Sequence, residues 1–161
     1  MKRLLIFLIL QMYCFSLFAN ELQKSFYDWS VFKVNKNNKT ICYIAALPLK
    51  NEGNILQKAE SFFLVTKIQE DADEISLSIG APFGKNASIE LSTANKKYSL
   101  FPYQVLAWAN NKTDDIDIIK DLQQQADFKI TAILEDGKNI VQTYSLIGFV
   151  DGYNFLKTTC R

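Results

Sequence analysis

The chain contains no histidine. That absence removes the usual general base, the commonest metal ligand and the usual pH switch together. Ser-His-Asp, Cys-His and HExxH chemistry are excluded with it. Cysteine is scarce, at three residues with none in a CxxC pair, so the redox motif is missing. Neither sign of charge dominates, since 18 Lys and Arg oppose 17 Asp and Glu. Such a chain, without a basic block, offers little electrostatic reason to bind nucleic acid or an anionic membrane. Only three prolines interrupt it and 48% of its residues are apolar, so most of it is expected to fold. No internal repeat, linker or low-complexity stretch divides it, and 161 residues suit one domain with a sizeable core.

What is present begins with an export signal. Met1 to Ala19 carries Lys2 and Arg3, an apolar run from Leu4 to Leu10, and the small residue Ala19 before Asn20. This order predicts a signal peptide over 1–19, cleaved between Ala19 and Asn20, and a single domain over 20–161. The alternative is an uncleaved anchor, but Gln11 interrupts the run well short of the roughly 20 apolar residues a spanning helix needs. Cys14 lacks the small residues of a lipobox before it and leaves with the leader. Export makes Cys42 and Cys160 candidates for a disulfide rather than a metal or redox pair, with two buried free thiols as the alternative.

The mature chain reads as mainly β. Strands are expected at Phe26–Val34, Thr40–Ala46, Phe62–Ile68, Glu74–Gly80, Ser88–Leu91, Tyr98–Phe101, Val105–Ala109, Phe128–Leu134 and Ile140–Leu146. Lys50 to Glu60 reads as loop, and Asn95 and Pro102 as breaks. Glu74 to Gly80 alternates most cleanly, with Ile75, Leu77 and Ile79 on one face. The period changes over 114–125, where Thr113 is the expected N-cap, Asp114, Asp115 and Asp117 fill the first turn, and Ile116, Ile119, Leu122 and Ala126 form a stripe. A last helix is expected from Asp151 to Thr159, with Phe149, Tyr153, Leu156 and Cys160 on one face after a turn at Gly148. About eight or nine strands and two short helices predict an antiparallel β-sandwich or half-open barrel.

Candidate chemistry is thin. Asp114, Asp115, Asp117 and Asp121 lack the glycine and ligand spacing of a calcium loop, and helix-start acids account for them. Asp71, Asp73 and Glu74 read as a solvated turn. The triplets at Asn38, Asn86 and Asn111 matter only in a eukaryotic secretory path. The aromatics Phe26, Tyr27, Trp29, Tyr43, Phe62, Phe63, Phe83, Phe101, Tyr103 and Trp108 are expected chiefly in the core, an exposed subset being the alternative. No SxxK segment opens a helix. No cofactor, metal or catalytic residue is assigned.

Five segments in order carry a resemblance: DWSV (Asp28 to Val31), TICYIAALP (Thr40 to Pro48), DEISLSIGAPF (Asp73 to Phe83), LAWAN (Leu106 to Asn110) and TYSLIGF (Thr143 to Phe149) ahead of Cys160. Together they resemble the invasion-associated locus B family of alphaproteobacterial exported proteins, over nearly the whole mature chain. In that family a strand-borne and a terminal cysteine match Cys42 and Cys160. The resemblance implies a periplasmic or outer-envelope virulence protein linked to host-cell entry. It implies an envelope or host protein as partner; from charge and hydropathy, no nucleic acid is expected, and no transmembrane segment once the leader is removed. It supplies no activity, ligand or oligomeric state. A non-enzymatic envelope protein is therefore the leading expectation. A small exported hydrolase with a carboxylate or Ser/Lys site, and a periplasmic ligand carrier, are the alternatives.

Overall fold

A computed structural model describes residues 21–36, 39–53, 59–69 and 72–159. The expected leader, the Ala19–Asn20 bond, the turn residue Asp71 and Cys160 lie outside them. Among the described residues eleven strands and two helices follow one another. They are β1 (Glu21–Phe26), β2 (Trp29–Lys36), β3 (Lys39–Ala46), β4 (Lys50–Gly53), β5 (Ser61–Gln69), β6 (Ala72–Ile79), β7 (Ser88–Ser92), β8 (Lys97–Tyr103), β9 (Leu106–Ala109), α1 (Lys112–Leu122), β10 (Asp127–Ile133), β11 (Asn139–Ser145) and α2 (Phe149–Thr159). The fold is mainly β and antiparallel, as expected from the strand periodicities.

Two strands beyond the expected eight or nine come from polar sequence. β1 (ELQKSF) and β4 (KNEG) are almost wholly exposed, so neither shows the alternation that marks a half-buried strand. They are the two edges of one continuous sheet, in the order β1-β2-β3-β5-β6-β9-β8-β7-β10-β11-β4. Charged, polar edges discourage pairing with another chain, which explains their composition. The expected strand at Phe26–Val34 is split because Tyr27 takes φ 54, turning the chain at Tyr27-Asp28. Pro102 does not break its strand: it pairs with Ala107 of β9 beyond Leu100, the last β8 residue paired with β7. Its missing N–H is therefore tolerated.

The sheet does not close, but it folds over on itself. Phe63 of β5 lies 4.8 Å from Phe128 of β10 and 6.0 Å from Tyr144 of β11, centroid to centroid. Trp29 of β2 meets Phe63 edge-on at 6.1 Å and Phe149 of α2 at 4.7 Å. These rings are fully buried, and each contributes roughly 1.5–3 kcal/mol by burial. The Trp29 indole N–H also donates to Ser145 O at 2.9 Å, which ties β2 to the end of β11 across the open seam. A ligand carrier would need the space these rings fill. Inside the wall, Tyr144 O–H donates to Gln142 Oε1 and Gln142 Nε2 donates to Ser61 Oγ, at 3.0 and 2.8 Å. That bonding lets a glutamine sit fully buried in β11.

The best-alternating strand, β6, does bury Ile75, Leu77 and Ile79, but Ser76 and Ser78 on its other face are buried too. Helix α1 packs against β6 and β9, and α2 packs against β1, β2 and β3. The last helix starts at Phe149, two residues earlier than expected, with Phe149, Tyr153 and Leu156 buried along the predicted stripe. No helix among the described residues is long and apolar enough to cross a membrane.

Candidate functional site

The polar surface with the most chemistry lies on both sides of α1. Asn111, not Thr113, caps this helix, its Oδ1 accepting from the backbone N–H groups of Thr113 and Asp114 at 2.9 and 3.0 Å. Asp114 and Asp115 follow in the first turn, where the dipole favours anions. The expected apolar stripe is rotated. Ile116 is 51% exposed, while Asp115, Ile118, Ile119, Asp121 and Leu122 are buried.

The rotation follows from what α1 lands on. Asp115 Oδ1 accepts from Ile75 N at 2.8 Å. Asp121 Oδ2 accepts from Thr93 Oγ1 at 2.8 Å and from the Tyr98 hydroxyl at 3.3 Å, and its Oδ1 accepts from Gln125 Nε2 at 3.1 Å. Two inward carboxylates thus find donors on β6 and around the β7–β8 turn, as buried charges require. Burial first, and the Asp121 charge second, push the Tyr98 phenol up to about 12. The four acids of α1 are therefore spread between a cap, two anchors and the surface. Among the described residues no group of three acidic or cysteine side chains is placed to hold a metal ion.

Two clefts flank this helix and share Asp73. The first, of about 310 Å³, is bounded by β5, β6, α1 and α2, and its wall carries Lys67, Lys120 and Lys157 with Gln123, Tyr153 and Asp73. Tyr153 donates its hydroxyl to Asp73 Oδ2 at 2.6 Å. Burial, then that bond to a carboxylate, raises the Tyr153 phenol. Asp73 Oδ1 is buried with no hydrogen-bond partner. Lys157 Nζ stands 4.7 Å from the centroid of the Tyr153 ring, a cation–π contact that holds the ammonium over the cleft floor.

The second cleft, of about 300 Å³, gathers Asp73, Glu74 and Asp115 with Ile68, Trp108 and Lys112. Burial raises the Asp115 carboxyl from 3.8 to about 6, opposed by the Ile75 N–H and assisted by Glu74, Asp114 and Asp73. A raised carboxyl pKa means the folded state holds its proton more tightly than the unfolded chain. The associated stability is complete below about pH 4 and is lost as pH rises through about 6. Asp115→Asn keeps an oxygen for Ile75 N and removes the charge. The variant is expected to be about 1–2 kcal/mol more stable than the parent at pH 7, after allowance for solvent screening. It should also lack the parent's decline between pH 4 and 6 in denaturant titrations. An unchanged decline would contradict this origin.

Of the residues expected to matter, Cys42 is buried in β3 and disulfide-bonded. Its expected partner Cys160, and the cleavage residues Ala19 and Asn20, lie outside the described residues. The aromatics divide. Trp29, Phe63 and Phe83 are core; Tyr27, Phe101 and Tyr103 are exposed; Phe26, Tyr43, Phe62 and Trp108 are half-buried. The lysine cleft was not anticipated from sequence, although Lys120 and Lys157 each sit in the last turn of a helix. The architecture defines a mainly β domain, one folded-over antiparallel sheet with helix-bounded polar clefts. No protein-family model, curated protein or solved structure matches the chain.

Proposed function

We propose that the protein is a non-enzymatic exported protein of the periplasm or outer envelope, acting through contacts with an envelope or host protein in host-cell entry or envelope integrity. The observation that supports this most is Tyr27. Its ring is 84% exposed on a backbone held at φ 54, a left-handed conformation that costs a non-glycine residue about 1 kcal/mol. The β1–β2 hairpin requires that conformation, as the β8–β9 hairpin does at Gln104 (φ 56), but an aromatic ring left exposed at such a turn in place of a small polar residue points to use of the ring. Tyr27 is also not alone. Asp28 N donates to Ile147 O at 3.4 Å, joining this turn to the β11–α2 turn, and Leu49 N donates to Thr143 O at 2.8 Å, joining the β3–β4 connection to the end of β11. These segments and the first turn of α2 expose Leu47, Leu49, Ile147 and Val150, apolar residues of the kind that mark contact surfaces.

Tyr27→Asn separates function from stability, because asparagine tolerates the left-handed region. The variant is expected to be more stable by about 0.5–1 kcal/mol and yet to fail in restoring a deletion strain. Wild-type levels of host entry and an intact envelope in the deletion strain itself would remove the reading.

A further inference from the structure

We infer that the cleft between α1 and α2 is a binding site for a phosphorylated anion carrying two or more negative charges. Lys67, Lys120 and Lys157 reach it from β5, α1 and α2. A solvated charged face puts its lysines on one element at regular spacing. Here three elements far apart in the chain bring them to one concavity, in a protein of nearly zero net charge. Lys120 and Lys157 are exposed, and neither is in an ion pair with a described residue. The acids nearby accept from neutral donors rather than from Lys120 or Lys157. Asp73 takes the Tyr153 hydroxyl and Asp121 takes Thr93, Tyr98 and Gln125. Asp117 shares with Lys120 a neighbouring cleft of about 190 Å³ and competes with a ligand for this lysine, as does the Asp73 carboxylate on the cleft wall.

The chemistry of the wall narrows the ligand. An ammonium is a point charge with three donors, suited to phosphate oxygens that can be approached from several sides. A monocarboxylate would leave one of Lys120 and Lys157 uncompensated, whereas a phosphate monoester or pyrophosphate matches both. Tyr153 spends its hydroxyl on Asp73 and Gln123 gives one of its two amide N–H groups to Ile119 O, so the lysines supply the charged donors, with one Gln123 N–H beside them. Ile116, exposed on the same wall, stands one helical turn from Lys120 and offers apolar contact to whatever carries the phosphate. Two sources share this chemistry, a free phosphorylated solute and a phosphomonoester lipid headgroup.

Calorimetric titration of the full mature chain with inorganic pyrophosphate tests the site, beside co-sedimentation with phosphatidylcholine vesicles with and without phosphatidic acid. Lys120→Ala and Lys157→Ala are each expected to weaken binding about tenfold, and the pair together about a hundredfold. Added salt should weaken all of it. The pair Lys85→Ala and Lys129→Ala removes the same charge elsewhere and should leave binding unchanged. Pyrophosphate binding alone supports a soluble ligand, vesicle binding alone a headgroup, and both a site open to either. Binding in neither arm, or equal losses in the two paired variants, overturns the inference. Should the Lys120/Lys157 variant fail to fold, pyrophosphate-induced amide shifts in the wild type must fall on Lys120, Gln123, Tyr153 and Lys157, and shifts elsewhere overturn it.

Discussion

Replacing Gly148 by alanine is expected to lower stability by about 3–5 kcal/mol, a large part of the roughly 5–15 kcal/mol that holds a domain of this size. Gly148 turns the chain from β11 into α2 at φ 89. A Cβ added there would stand 1.9 Å from Phe26 O and 2.6 Å from Phe26 C. Those are backbone atoms of the neighbouring edge strand, so no side-chain rotation relieves the clash; β1 and the start of α2 must move apart. Two other glycines calibrate the effect. Gly137 has a similar φ of 79 but nothing within 4 Å of an added Cβ, so Gly137→Ala reports the backbone cost alone, about 1 kcal/mol. Gly152 meets the Ile44 Cδ1 tip at 2.5 Å, an atom that can rotate away, and alanine gains helix propensity there. Denaturant midpoints should rank Gly148→Ala far below both. Equal losses at Gly148 and Gly137 would mean that the close approach to β1 carries no energy.

Gly148 was readable from sequence as a turn, but its reason was not, because Phe26 lies more than a hundred residues away. The same limit explains the other misreadings. β6 and β10 announce themselves by local alternation, and α2 by a stripe of Phe149, Tyr153 and Leu156. These patterns are set by burial against one face, which a short window can record. β1 and β4 are strands only because β2 and β11 pair with them, and their polar residues follow from being edges. Helix α1 shows the conflict most plainly. Apolar spacing placed Ile116 inward, yet the donors waiting at Ile75, Thr93 and Tyr98 rotate Asp115 and Asp121 into the protein instead. The lysine cleft was illegible for a related reason. Lys67, Lys120 and Lys157 have no spacing in common, and only the packing of α1 on β6 and of α2 on β1, β2 and β3 brings them together.

The second large effect concerns Cys42, and it is expected to act through Cys160. Cys42 is buried in β3 and disulfide-bonded. It shares its face of the strand with Ile44, on which α2 lies through Gly152. Helix α2 ends at Thr159, the residue before Cys160 in sequence. A Cys42–Cys160 bridge would close a loop of about 119 residues, worth about 4–5 kcal/mol in the chain-entropy account. It would hold α2 against β3, the packing on which the Gly148 junction and the Lys157 side of the cleft depend. Cys160→Ala is then expected to melt roughly 10–15 °C below the parent, and reductant should bring the parent down to the same temperature while leaving the variant unchanged. Cys42→Ala should fall further, because it also empties space in the core. The double variant should match Cys42→Ala, since the second substitution has no bond left to remove. If Cys160→Ala melts with the parent, or reductant still destabilises it, Cys42 is bonded elsewhere. A stabilisation of this size would be lost in a reducing compartment, so the same melts also test whether the fold depends on export to reach its full stability.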